Sequence, residues 1–177
     1  MMRRLVCRGD RLIGSFRVAT LAGTCIGLLA APPALAAGEH DWRTYGNARF
    51  EFTMCFPGDL MTAEPESDNG DGRTFSTKDG AQLLVWGTDN TRDLTPAQVL
   101  GDEVRRISRE GGQISYKVAK PGWFALSGAK GGNIFYQRAT SNGVRFGSFR
   151  LTYPKGQAAK WTPIVAHLSQ CLDGNPK

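Results

Sequence analysis

Residues 122–154 read GWFALSGAKGGNIFYQRATSNGVRFGSFRLTYP. Three apolar-rich runs are separated by AKGG and SNG. Their Gly-Gly and Asn-Gly pairs offer the positive φ angles of tight hairpin loops, so the stretch reads as a three-stranded antiparallel meander. Along the last run Val144, Phe146 and Ser148 fall on one side and Phe149, Leu151 and Tyr153 on the other. In the middle run Ile134 and Tyr136 lie opposite Phe135 and Ala139. A sheet with one wet face alternates cleanly between apolar and polar. Apolar residues at both parities make this meander an inner layer, with material expected on each side.

The segments around it supply that material. Immediately upstream, residues 113–120 form a strand with Ile114, Tyr116 and Val118 on one side, turned by Pro121-Gly122. Before it lies the clearest helix of the chain. Thr95 is the N-cap, Pro96 takes the first helical position and Gln98 completes a capping box. Ala97, Leu100, Val104 and Ile107 share one face, and Gly111-Gly112 ends the helix. Residues 73–77 and 81–87 make a hairpin around Asp79-Gly80. The segment TAEPESDNGDG, residues 62–72, carries no periodic apolar residue and is expected to be a loop. Residues 42–56 form a first hairpin turning at Gly46-Asn47. Phe50, Phe52, Met54 and Phe56 alternate there with Glu51, Thr53 and Cys55 up to the stop at Pro57-Gly58. Downstream, residues 158–172 form a helix with Trp161, Ile164, Val165, Leu168, Cys171 and Leu172 on its apolar face, Pro163 marking the start of its regular part. The fold class is therefore α+β: an antiparallel sheet of about six strands plus an N-terminal hairpin, covered by helices on both faces.

Residues 1–17 are basic and residues 18–31 apolar and uncharged; Pro32-Pro33 and then Ala34-Leu35-Ala36 follow. That order is the anatomy of a secretory signal peptide, residues 1–36, leaving a single domain over residues 37–177. The apolar run is short for a membrane-spanning helix, so no transmembrane span is expected after cleavage. Cys25 is not in a lipid-attachment context, because Thr24 separates it from Gly23. The chain has 22 Lys+Arg and 16 Asp+Glu, of which the first 36 residues hold five and one; the remainder has 17 against 15, a net charge of +2. The basic character belongs to the leader, and no stripe of the kind phosphate contacts need remains, which argues against nucleic acid. Cys7 and Cys25 leave with the leader. Cys55 and Cys171 remain, and an even count in an exported chain reads as a disulfide, the alternative being two buried free thiols. Such a bridge would stabilise by up to roughly 5 kcal/mol in the chain-entropy account. With no C-x-x-C pair, a redox role has no motif behind it.

The N-terminal hairpin, the Phe-rich strand ending at Pro57, the meander closing on Leu151-Thr152-Tyr153-Pro154 and the final Trp161-Thr162-Pro163-Ile164-Val165 helix together resemble small exported PsbP-like and DcrB-like proteins. They also resemble uncharacterised bacterial periplasmic proteins with a GWFALSG-like strand. The resemblance spans most of the chain after the leader. It implies an antiparallel sheet sandwiched by helices and an accessory or binding role. It brings no catalytic motif. The cysteine pair departs from it, since aromatic or small residues are expected at those positions.

Chemistry-bearing residues are few. His40 lies near the start of the domain, and His167 sits beside the apolar face of the last helix. Ser127, in Leu126-Ser127-Gly128, is not in a G-x-S-x-G elbow. Glu64, Glu66, Asp68 and Asp71 invite a calcium reading. Aligning Gly72 with the loop glycine puts Ser67 and Lys78 at the first and last ligand positions, which fails; the segment reads as a solvated acidic loop. Lys130-Gly131-Gly132 joins two strands and is no phosphate loop. Arg105, Arg106 and Arg109 suit the C-terminal end of their helix. We expect no catalytic residue, cofactor or metal. Trp86, Trp123, Tyr116 and Tyr136 are core candidates that also fit a ligand groove. Arg138 and Arg150 lie on neighbouring strands. Placed together with Tyr136, they would suit an acidic ligand. The reading is a monomeric periplasmic or secreted protein that binds a protein or small ligand in the envelope. A hydrolase built from scattered residues, or a module that attaches to membranes or partners, is the alternative.

Overall fold

The computed structural model describes residues 40–173. The predicted signal peptide, residues 1–36, lies outside them. Among the described residues no helix is long and apolar enough to cross a membrane.

Nine strands and two helices follow in the order β1 (Trp42–Asn47), β2 (Phe52–Pro57), β3 (Thr62–Glu66), β4 (Gly72–Ser76), β5 (Gln82–Asp89), α1 (Pro96–Arg109), β6 (Gln113–Lys120), β7 (Trp123–Lys130), β8 (Asn133–Ser141), β9 (Arg145–Pro154) and α2 (Ala158–Cys171). β1 and β2 form their own hairpin, and the other seven strands form one antiparallel sheet in the order β3-β4-β5-β9-β8-β7-β6. The β7–β8–β9 meander occupies one half of that sheet. Gly131 and Gly132, at φ 56° and 83°, make its first two-residue loop. The expected capping box opens α1, with Thr95 and Gln98 bonded to each other's backbone N–H.

The sheet has seven strands where about six were expected, because residues 62–66 form β3 and not a loop. All five of its residues are exposed. A period-two signal needs one buried face, and β3 buries neither. It is held by main-chain pairing to β4, with a bulge around Pro65 at the open edge. The first hairpin also turns later than the Gly46-Asn47 pair indicated. Gly46 and Asn47 stay in the ladder opposite Thr53 and Phe52, and the turn falls on residues 48–51. The buried Asn47 side chain sets it: Oδ1 accepts the Phe50 N–H at 2.8 Å, and Glu51 takes φ 55°. Asn47 Nδ2 donates to the Tyr45 hydroxyl and to the Gly70 carbonyl, both at 3.0 Å, and the Tyr45 hydroxyl donates to Glu66 at 2.7 Å. In β6 a bulge between Ile114 and Tyr116 resets the side-chain phase. Ile114 joins Ala119 against the α1 cluster, while Tyr116 is 51% exposed on the other face. Pro163 sits inside α2 rather than at its start; a 3₁₀ turn, Lys155–Gln157, leads into the helix instead.

Two cores result. Phe149, Leu151 and Tyr153 pack with the β1–β2 hairpin and with Trp161, Ile164 and Leu168 of α2. At the opposite parity of the same strands, Phe135 and Phe146 join Phe124 and Leu126 under Leu100 and Ile107 of α1. Coverage is unequal, because α1 contacts β6, β7 and β8, while Leu84, at the same parity on β5, is 41% exposed.

Candidate functional site

The strand register decides what Tyr136, Arg138 and Arg150 can do together. Arg138 lies opposite Phe149, and Arg150 opposite Gln137. Side chains alternate along each strand, so Tyr136 and Arg138 share the α2 face while Arg150 points to the α1 face. The structure does not bring the three into one site. It makes two separate arginine environments, and their chemistry differs.

Arg150 is paired. Its Nε donates to Gln137 Oε1 at 2.9 Å, and a terminal nitrogen donates to Gln137 and, at 2.8 Å, to Glu103 of α1. Glu103 also holds Arg106 at 2.9 Å, Arg106 holds Glu110 at 2.8 Å, and Glu110 accepts from Lys130 at 2.7 Å. The result is a line of alternating charges that pins α1 to the sheet. Burial lowers the Arg150 pKa, and the Glu103 charge opposes that shift. Clefts flank this line on both sides. One, of about 330 Å³, is lined by Ile107, Phe135, Lys130 and Arg150 among others. The other, of about 320 Å³, is lined by Trp86, Val99, Phe124, Phe146 and Gln137 among others.

Arg138 has no carboxylate partner among the described ion pairs. Its guanidinium lies over the Trp123 ring, 4.0 Å from the centroid, a geometry that holds a cation flat against an aromatic face. Its Nε is buried without a hydrogen-bond partner, and so is the hydroxyl of Thr140, the next residue on that face. Trp123 stands directly opposite Thr140 on β7. Beside them burial raises the Tyr136 pKa, against the opposing charge of Arg138. Tyr116 lies on the same face at the open β6 edge, its row running through Ser127 to Tyr136. Trp123, Tyr136 and Arg138 thus form an aromatic platform around a cation that has no carboxylate partner among the described ion pairs, with two unmet polar atoms, Arg138 Nε and the Thr140 hydroxyl. Sequence reasoning grouped Tyr136 with Arg138 and Arg150 and named Trp123 apart from them. Only the register joins Trp123 to Tyr136 and Arg138.

The remaining candidates are placed as follows. Cys55 and Cys171 are joined in a disulfide with Cα atoms 5.5 Å apart across a sequence separation of 116. The His167 ring stacks on Trp42, 3.8 Å between centroids, and His40 bonds Asp59 at 2.8 Å. Ser127 is within β7. The acidic residues of 64–71 do not converge on a cation. Glu64 accepts from Ser76, Glu66 from Tyr45 and Arg73, and Asp71 from Ser67 and Asn69.

No family model matches the chain, and no curated protein matches it. Among solved structures it is similar to the solution structure of cyanobacterial PsbP (CyanoP) from Synechocystis sp. PCC 6803. The TM-score is 0.60 at 12% identity, covering 86% of this chain and 98% of that one. The chain has a PsbP-like fold. At that identity the likeness is one of architecture. Function has to be argued from this chain's own side chains on the PsbP-like sheet.

Proposed function

We propose that this is an exported, periplasmic or secreted protein with an accessory or binding role, and that Trp123, Tyr136 and Arg138 are its contact for an acidic group of the ligand or partner. The observation behind the site is Arg138. It is a guanidinium held flat on Trp123, with no ion-pair partner among the described residues and a buried Nε lacking a hydrogen bond. A guanidinium without a carboxylate partner would gain a charge-assisted hydrogen bond from an incoming carboxylate or phosphate. The rings of Trp123, Tyr136 and Tyr116 would contact the apolar part of the same ligand. Arg150 is left out of the site, since Glu103 already supplies its countercharge and Gln137 accepts from it. Export is supported by the N-terminal anatomy and by the disulfide, which persists in oxidising compartments.

The test follows the Trp123 indole N–H resonance while acetate, phosphate and a short acidic peptide are added in turn. The expected result is a saturable shift with at least one of them. It should be lost in Arg138→Gln and kept in Arg105→Gln, which alters an exposed cation on α1. Absence of a shift with all three probes, or an equal shift in Arg138→Gln, refutes the assignment.

A further inference from the structure

Cys55, Cys171 and His167 lie closer together than a structural disulfide requires. The two sulfurs and one imidazole nitrogen all fall within 4.8 Å of one another. Two features set this arrangement. His167 and Cys171 are four residues apart on α2, so their side chains leave the same face of the helix. The Trp42 ring, stacked on His167 at 3.8 Å and 19° between planes, holds the imidazole toward the cysteines. His167 and Cys171 are half-buried, so one side of the cluster is open to solvent, while Cys55 is buried beneath it.

We infer that the reduced form of this pair is a zinc site, with Cys55 and Cys171 thiolates and the His167 imidazole as three ligands and a solvent position as the fourth. Two thiolates and an imidazole are a ligand set that zinc prefers, and three protein ligands with one open position is a common tetrahedral arrangement. The disulfide makes the site conditional. A dithiol reductant gives two electrons and two protons to the Cys55–Cys171 bond and becomes a disulfide itself, leaving two thiols. Zinc then displaces both thiol protons to solvent and takes the two sulfur lone pairs. In the oxidised chain each sulfur is spent on the other, and the site does not exist.

The geometry does not depend on the covalent bond to persist. Beside the disulfide, Thr53 and Asp173 exchange backbone hydrogen bonds of 3.0 and 3.1 Å, tying β2 to the end of α2. Met54, Trp161, Ile164, Leu168 and Leu172 pack in the same core. β2 and the last turn of α2 are therefore held in register when the sulfurs separate.

The experiment uses the protein reduced with a phosphine, then titrated with cobalt(II) as the spectroscopic stand-in and with zinc in competition. Thiolate-to-cobalt charge-transfer absorption with tetrahedral d–d bands, saturating at one ion per chain and absent from the oxidised protein, is the expected result. Zinc should displace the cobalt. His167→Gln should weaken zinc binding by more than about tenfold, since loss of a group that merely supports a ligand already costs 10–100-fold. Circular dichroism is recorded on each reduced sample. Failure of the reduced protein to bind cobalt overturns the proposal, as does equal affinity in His167→Gln. So does loss of the native spectrum on reduction, because the site is built by the fold. The Arg138 assignment stands or falls separately, as it concerns a different part of the sheet.

Discussion

The seating of the first hairpin on the sheet can be tested at a single methyl group. Gly87 and Gly147 face each other across β5 and β9, and Phe50 and Phe52 of the hairpin lie on the bare floor they leave. A Cβ on Gly87 would overlap Cβ, Cγ and Cδ2 of Phe50, while one on Gly147 would stand 3.0 Å from the Phe52 Cβ. Phe50 cannot swing away cheaply, because its own Cβ is among the overlapped atoms and its N–H is bound to Asn47. Overpacking of this kind costs about 1–3 kcal/mol. The alanine regains about 0.4–1 kcal/mol by restricting the unfolded chain. Gly87→Ala should therefore destabilise by about 1–2 kcal/mol. Phe50→Ala removes a ring only 7% exposed and should cost about 3 kcal/mol, the lower end for a buried phenylalanine because the ring sits in a turn. In that background the overlap with Cγ and Cδ2 is gone and only the Cβ of residue 50, 2.3 Å from the new methyl, remains, so Gly87→Ala should cost about 1 kcal/mol less than it does beside the intact ring. Equilibrium urea unfolding of the four proteins, followed by tryptophan fluorescence with m-values compared, measures the coupling. If Gly87→Ala costs the same with and without the Phe50 ring, to within about 0.5 kcal/mol, the hairpin is not seated as described.

Three further outcomes are expected. Glu103→Gln removes the charge that offsets Arg150, whose side chain is 24% exposed; partial exposure brings the loss to about 1–3 kcal/mol, and Glu103→Leu combined with Arg150→Met should recover most of it in a double-mutant cycle. Lys160, bonded at 2.7 Å, holds the Asp79 carboxyl below its usual pKa, helped by the Thr77 hydroxyl. A depressed carboxyl contributes stability above its unfolded value, near pH 4, and loses it as pH falls through the folded value. The stability gap between wild type and Lys160→Met should thus be open at neutral pH and close as the carboxyl is protonated in acid; a gap independent of pH contradicts the pairing. Replacing both Cys55 and Cys171 by serine opens a loop with a sequence separation of 116 and should cost up to about 5 kcal/mol in the chain-entropy account. The far-UV circular dichroism should stay native, since the rest of the same core and the Thr53–Asp173 backbone pair still hold β2 against α2.

The elements that sequence located well are those whose own residues define them. The α1 capping box, the Asp79-Gly80 and Gly131-Gly132 turns and the strands of the meander each rest on local chemistry, and each is present. The elements it misplaced depend on something distant. β3 exists because β4 offers it a ladder, not because its exposed side chains demand a strand. The turn at residues 48–51 follows from Asn47, a buried polar residue whose partners include the Gly70 carbonyl, 23 residues away. The β6 bulge moves Tyr116 off the side that simple alternation assigned to Ile114.

The same reasoning separates the two arginines. Position 138 and position 150 look alike in sequence, each an arginine near the middle of a strand in one meander. Pairing places Arg138 beside Phe149 and Arg150 beside Gln137, and a difference of one residue in parity puts them on opposite faces. On the α1 face a helix arrives with Glu103, and the charge is neutralised in place. On the other face α2 and the hairpin bring apolar packing and, among the described ion pairs, no acid to position 138. Trp123 then holds the guanidinium through its π-face, which fixes the cation without satisfying its Nε. A structural role would be served better by a carboxylate, as Arg150 demonstrates thirteen positions from Gln137 in the same sheet. An arginine that is oriented but, among the described ion pairs, given no carboxylate is the arrangement expected of a group kept for an incoming anion, and it is this contrast within one sheet that supports the proposed reading.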